Sequence, residues 1–101
     1  MGKGIKKIPN KTVSIRIGTI TVDKKFSELA NECLGASSVN GVNITEMRHR
    51  IRIIDQMEKA NGEIELEKVD MQVLKKCVSE MQWRFVSPGI IEFVDAIETI
   101  K

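Results

Sequence analysis

Four groups of side chains in this 101-residue chain are of types that can do chemistry. The first is the turn Lys59-Ala60-Asn61-Gly62-Glu63-Ile64, whose glycine and following isoleucine fit a calcium-binding helix-loop-helix. Counting back from Gly62 as the sixth loop position puts Met57 first, Lys59 third and Lys68 twelfth, where oxygen ligands are required. Two lysines at ligand positions exclude that site. The second is His49, within Arg48-His49-Arg50-Arg52. It is the one histidine of the chain, and no serine or cysteine is set beside it by motif, so neither metal binding nor nucleophile activation is expected of it. The third is the pair Cys33 and Cys77. They lie 44 positions apart at the centres of apolar stripes, without metal spacing or a cationic activator, and read as reduced core thiols. The fourth is the carboxylate set Glu63, Glu65, Glu67 and Asp70. Acid-base work needs a sheltered cleft that drives the pKa values of two carboxyls apart, whereas alternate residues of one strand share an exposed face. That face could also dock the lysine arm of a neighbouring chain. With no Gly-rich phosphate loop either, a noncatalytic protein without a cofactor is expected.

The elements that position these groups must come from one modest core, since 101 residues make a single domain. Hydrophobic residues are 42% and charged residues 30%, which separates the chain from the disordered class. Three Phe, one Trp and no Tyr leave the core to aliphatic side chains and five Met. No apolar run approaches the ~18 residues of a membrane span, and Met1 to Lys11 lacks the apolar middle of a signal peptide. A cytoplasmic protein with no membrane partner is therefore expected. Residues 1 to 25 carry seven Lys/Arg against one Asp, while residues 26 to 101 carry nine Lys/Arg against thirteen Asp/Glu. A basic arm on an acidic body implies an anionic partner for the arm, or an arm folded back on its own chain.

The first eleven residues, with Gly2, Gly4, Pro9 and four Lys, have no periodicity and read as a flexible basic tail, with a single globular domain over residues 12–101. Val13, Ile15 and Ile17 alternate with polar residues, and after Gly18-Thr19 the alternation resumes at Ile20 and Val22 with its parity flipped. A hairpin with a two-residue turn explains the flip and pairs Ile17 with Ile20 and Ile15 with Val22, with a bulge in one long strand as the weaker alternative. Asp23 caps a helix carrying Phe26, Leu29, Ala30, Cys33 and Leu34, closed by Gly35 as a left-handed residue. Ala36 to Val42 is a flexible loop. Asn43 or Thr45 opens a second helix to about Ala60, then Ile64 and Leu66 form a short strand able to join the hairpin. Asp70 caps a third helix through Met81, and Ser87-Pro88 opens a last one reaching Ile100. The fold class is α+β: a small helix-rich domain in which an N-terminal β-hairpin and one short strand pack on four amphipathic helices.

Candidate surfaces follow from helical geometry. Arg48, His49, Arg52, Asp55 and Lys59 share a polar face of the second helix, with Asp55 spaced for ion pairs to Arg52 and Lys59; Ile44, Met47, Ile51, Ile54 and Met57 take the apolar one. Arg50 projects between Ile54 and Met57 with Glu46 four residues before it. It is either a rim ion pair or, with Met57, part of a surface facing another protein chain. Trp83 is a core plug between the third and fourth helices or, if exposed, a binding anchor. Ile91 falls about 100° from Ile90, off the stripe of Ile90, Phe93, Val94, Ile97 and Ile100, and left uncovered it marks an oligomer contact.

The segment Ile44-Thr45-Glu46-Met47-Arg48, continued through Ile54-Asp55, Gly62-Glu63-Ile64-Glu65-Leu66-Glu67, Asp70, Leu74-Lys75 and Phe93-Val94-Asp95, resembles a pattern of small accessory proteins of temperate bacteriophages, over roughly residues 43–97. The resemblance implies a phage or prophage origin, a protein-binding role in assembly or host takeover, and self-association. It carries no catalytic residues. The leading expectation is thus an interaction module acting through Arg50, Trp83, Ile91 and Met57 on another protein or on itself as a homo-oligomer. The rival is a nucleic-acid binder using Lys3, Lys6, Lys7 and Lys11 with Arg48 and Arg52.

Overall fold

The computed structural model describes residues 4–36 and 41–100. It is a small α+β domain with the elements β1 (Ile5–Pro9), β2 (Thr12–Ile17), β3 (Ile20–Lys25), α1 (Phe26–Gly35), α2 (Ile44–Lys59), β4 (Glu63–Glu67), α3 (Lys68–Glu80) and α4 (Pro88–Glu98). Lys3 and the loop residues 37–40, part of the expected tail and flexible loop, lie outside the described residues.

The hairpin forms in the expected register, with Ile17 opposite Ile20 and Ile15 opposite Val22. Gly18 at φ +62° supplies the backbone conformation that the first residue of such a turn requires. Ile15 is buried and Ile17 and Val22 pack against the core, while Ile20 at the tip remains exposed.

Ile5–Pro9 is a strand where a flexible tail is expected. It runs antiparallel to β4, with Ile8 opposite Ile64, both buried, on the inner face and Lys7 opposite Glu65 on the outer one. Strand β4 therefore pairs with β1 and not with the hairpin, giving two separate two-stranded sheets. The pairing is nonlocal. Ile64 and Leu66 need a partner edge, and the arm offers Ile8 inward and a lysine across from a glutamate, a stabilising cross-strand pair.

Asn10 ties the turn before β4 to the start of α1. Its backbone N–H donates to Gly62 O (3.0 Å), its side-chain amide donates to Asn61 O (2.9 Å), and its Oδ1 accepts from the Ser27 N–H (2.9 Å). The last bond satisfies an unpaired donor in the first turn of α1, and Lys25 N–H is met by Glu28 Oε1 (2.8 Å). Asp23 is thus not the cap. It sits inside β3, where its Oδ1 accepts from Ser14 Oγ (3.1 Å). Gly35 is the last helical residue of α1, with Ala36 as an extended C-cap, and positive φ is confined among the described residues to Gly18 and Gly41. Asn43 caps α2 as expected, accepting from Glu46 N–H (2.8 Å). Helix α3 starts at Lys68, so Asp70 lies in its first turn and not at its cap.

One apolar cluster joins all the layers, with Phe93 at its centre, edge-on to Phe26 (centroids 5.4 Å) and to Trp83 (6.2 Å). Helix α4 lies directly on β2. Ser87 Oγ accepts from Arg16 N–H (3.2 Å), and a Cβ on Gly89 would fall 2.5 Å from the Ser14 carbonyl oxygen and 3.0 Å from Ile15 Cδ1. Backbone cannot yield as a side-chain tip can. Gly89→Ala is expected to lose about 2 kcal/mol to overpacking even though alanine is the better helix former. Urea denaturation would measure it, and an unchanged or raised midpoint would show that the helix can lift from the strand freely.

Candidate interaction surfaces

Of the apolar stripe expected on helix α2, Met57 is buried and Ile54 packs on the core, but Arg50 and Ile53 take the inward places expected for Ile44, Met47 and Ile51. Inward lie Arg50, Ile53 and Met57, with Ile54 at their flank. The row Ile44, Met47 and Ile51, expected in the core, faces out at 60%, 44% and 52% exposure. The helix is thus turned by close to one residue's ~100° from the expected orientation.

Arg50 explains the turn. Only 6% exposed, it donates through Nε and Nη2 to Glu46 Oε2 (3.0 and 2.6 Å), and through Nη1 to the carbonyls of Leu34 (3.3 Å) and Ala36 (2.7 Å). These are C-terminal carbonyls of α1, which has no basic residue in its own last turn. Arg50 supplies from α2 both the donors and the positive charge that this helix end lacks. Glu46 is held also by Lys76 on α3 (3.4 Å), and its carboxyl is lowered below the ordinary 4.5, first by the Arg50 hydrogen bonds. The rim ion pair read from the sequence is present, but Arg50 and Met57 are buried and present no contact surface.

A second network lies beside it. Asp70, 4% exposed, receives His49 Nε2 at 2.6 Å and Arg52 Nη2 at 2.5 Å, both on Oδ1. Arg52 reaches across to α3 instead of pairing with Asp55, as the helical spacing suggested. The basic set proposed for nucleic acid is likewise divided: Lys7 stands opposite Glu65, Lys6 opposite Leu66, Lys11 pairs with Glu92, and Arg52 is bound to Asp70. Arg48 is exposed and, among the described residues, makes no ion pair.

Trp83 is half-buried, its ring edge on Phe93, and borders a groove of about 350 Å³ with Asn31, Gly35, Met81, Arg84 and Phe85. Asn31 Oδ1, buried there, has no hydrogen-bond partner among the described residues. Ile91 is exposed at 60%, off the buried stripe of α4 as its spacing implies, and Val86 is exposed near the start of that helix.

Both cysteines are buried and free. Burial, chiefly, pushes the Cys33 thiol up to about 12 and raises that of Cys77, which opposes thiolate formation. Among the described residues no three metal-ligating side chains converge, and no helix is long and apolar enough to cross a membrane.

Of the four residues singled out from the sequence for protein contact, Trp83 and Ile91 are within a partner's reach. The exposed row Ile44, Met47 and Ile51 escapes sequence reasoning because its helical spacing places it in the core. The available signal was Ile53 opposite it, together with the Glu46-Arg50 pair already placed near the apolar side. In comparisons with known proteins, no family model, no curated protein sequence and no solved structure matches this chain.

Proposed function

We propose that this chain is a noncatalytic protein-interaction module, of the kind that phage-encoded assembly factors or inhibitors of host proteins represent, with the outward side of α2 as its docking face. One observation carries the reading: Ile44, Met47 and Ile51 form an exposed apolar row on a 16-residue helix whose inner side is already filled. Single exposed hydrophobics are ordinary, but three at spacings of three and four on one ridge are the pattern by which helices dock into or against a partner. Ile91 and the Trp83 groove are further accessible apolar features, while Arg50 and Met57 act from beneath by fixing which face of α2 points out. The phage assignment rests on the resemblance over residues 43–97.

The test is the double variant Met47→Glu/Ile51→Glu. Both side chains are exposed, so stability should change by no more than about 0.5 kcal/mol per site. The wild-type chain is expected to appear as a homo-oligomer by light scattering, or to retain one protein in stoichiometric amount from its native host, and the variant to lose that association. A wild-type monomer that binds nothing but DNA or RNA, with affinity falling steeply as salt rises, overturns the reading in favour of nucleic-acid binding. So does association that the variant leaves unchanged.

A further inference from the structure

We propose that the partner of the α2 face is a second copy of this chain, packed antiparallel about a two-fold axis near Ile51; the inference rests on the interaction reading above and names its occupant. The outward ridge of α2 runs Ile44, Met47, Arg48, Ile51, Asp55 and Glu58, which lie within about 100° of arc. Arg48 and Asp55 are both exposed, and neither makes an ion pair among the described residues, although Arg52, Arg50 and Glu46 on the same helix all do. They stand seven residues apart, with Ile51 near their midpoint.

That arrangement is self-complementary in one direction only. With two copies antiparallel about Ile51, Arg48 of each lies against Asp55 of the other. The two Ile51 side chains meet near the axis, the Met47 side chains flank them, and Glu58 and Lys59 of each copy lie beside Ile44 of the other. Every unpaired charge near the middle of the ridge is then matched twice, as a two-fold interface requires. A parallel pair sets Arg48 against Arg48 and Asp55 against Asp55, which like-charge repulsion disfavours. An unrelated partner would have to carry the same basic-apolar-acidic order by its own sequence, whereas a second copy carries it by symmetry.

Sedimentation equilibrium of the full chain across the micromolar range tests the proposal. Wild-type protein is expected to be a dimer. Arg48→Asp alone and Asp55→Arg alone each place two like-charged contacts in the interface and should weaken dimerisation by at least about tenfold. The double exchange Arg48→Asp/Asp55→Arg restores opposite charges across the axis and should recover the wild-type constant. Its recovery also shows that the single losses are not folding defects. A wild-type monomer throughout the range overturns the proposal, as does a dimer indifferent to the single exchanges or one that the double exchange fails to restore. A monomer that retains a host protein through Met47 and Ile51 ends the dimer and leaves the interaction reading standing; a monomer that retains none ends both.

Discussion

Arg50→Met is expected to lower the stability of the domain by about 3 kcal/mol, although methionine keeps much of the apolar stem. The loss is of bonds, not volume. Four donations disappear together, two to Glu46 Oε2 and one each to the carbonyls of Leu34 and Ala36. The end of α1 keeps its partial negative charge without a counter-charge, and Glu46 retains Lys76 alone. Arg50→Lys should recover only part of the loss, because one ammonium cannot span the carboxylate and both carbonyls as the planar guanidinium does. The effect is also pH-dependent. The Glu46 carboxyl is lowered in the folded state, first through Arg50, so its contribution is complete above the unfolded value near 4.5 and is lost as pH falls through the folded one. The gap between wild type and Arg50→Met should narrow on acidification from pH 7 to pH 3. Urea denaturation at the two pH values measures it, and an equal gap at both would remove Glu46 from the account.

The hairpin was legible because its evidence is local: a parity flip at Gly18-Thr19 leaves one register that keeps Ile15, Ile17, Ile20 and Val22 on a single side. The positions of α1, α2 and α4 were legible for the same reason, from periodicity and from Asn43 and Ser87-Pro88 at their starts. Strand β1 was not. Ile5 and Ile8 among lysines carry no pattern of their own, and the strand exists because the edge of β4, more than fifty residues away, completes it. The caps expected at Asp23 and Asp70 failed on distant competitors: Asn10 reaches the first turn of α1, and Asp70 is drawn beneath His49 and Arg52.

The candidate face was the part least open to sequence reasoning. Two orientations of α2 are apolar enough to enter a core, and spacing alone favours the one with the full run from Ile44 to Met57 inward. What decides between them is whether Arg50 can find acceptors, and those acceptors are backbone carbonyls whose identity no side chain in the sequence reveals. A buried arginine on the end of a neighbouring helix thus exports three hydrophobic side chains to the surface. The buried arginine and the exposed apolar row of α2 have one cause.

The other network fixing α2 should respond asymmetrically to mutation. His49→Leu combined with Arg52→Met is expected to cost about 3 kcal/mol, whereas Asp70→Asn should cost about 1 kcal/mol. Asp70 is the buried member, and removal of its two donors strands a carboxylate whose Oδ1 receives both contacts. Removal of the charge instead leaves His49 and Arg52, whose side chains are 25% and 56% exposed and can return to water. Adding Asp70→Asn to the double variant should therefore raise its stability, a positive coupling that a simple sum of contacts does not produce. Urea denaturation of the single, double and triple variants at pH 7 decides the matter. A double variant no weaker than Asp70→Asn would mean that the carboxylate rehydrates in place. Because the same contacts hold α2 against α3, the double variant should also speed amide exchange along α2, while Asp70→Asn, which keeps an acceptor oxygen for both donors, should leave it nearly protected. The orientation of α2, and with it the outward row of Ile44, Met47 and Ile51, depends on polar contacts that few residues carry, so those contacts govern the docking face without touching a partner.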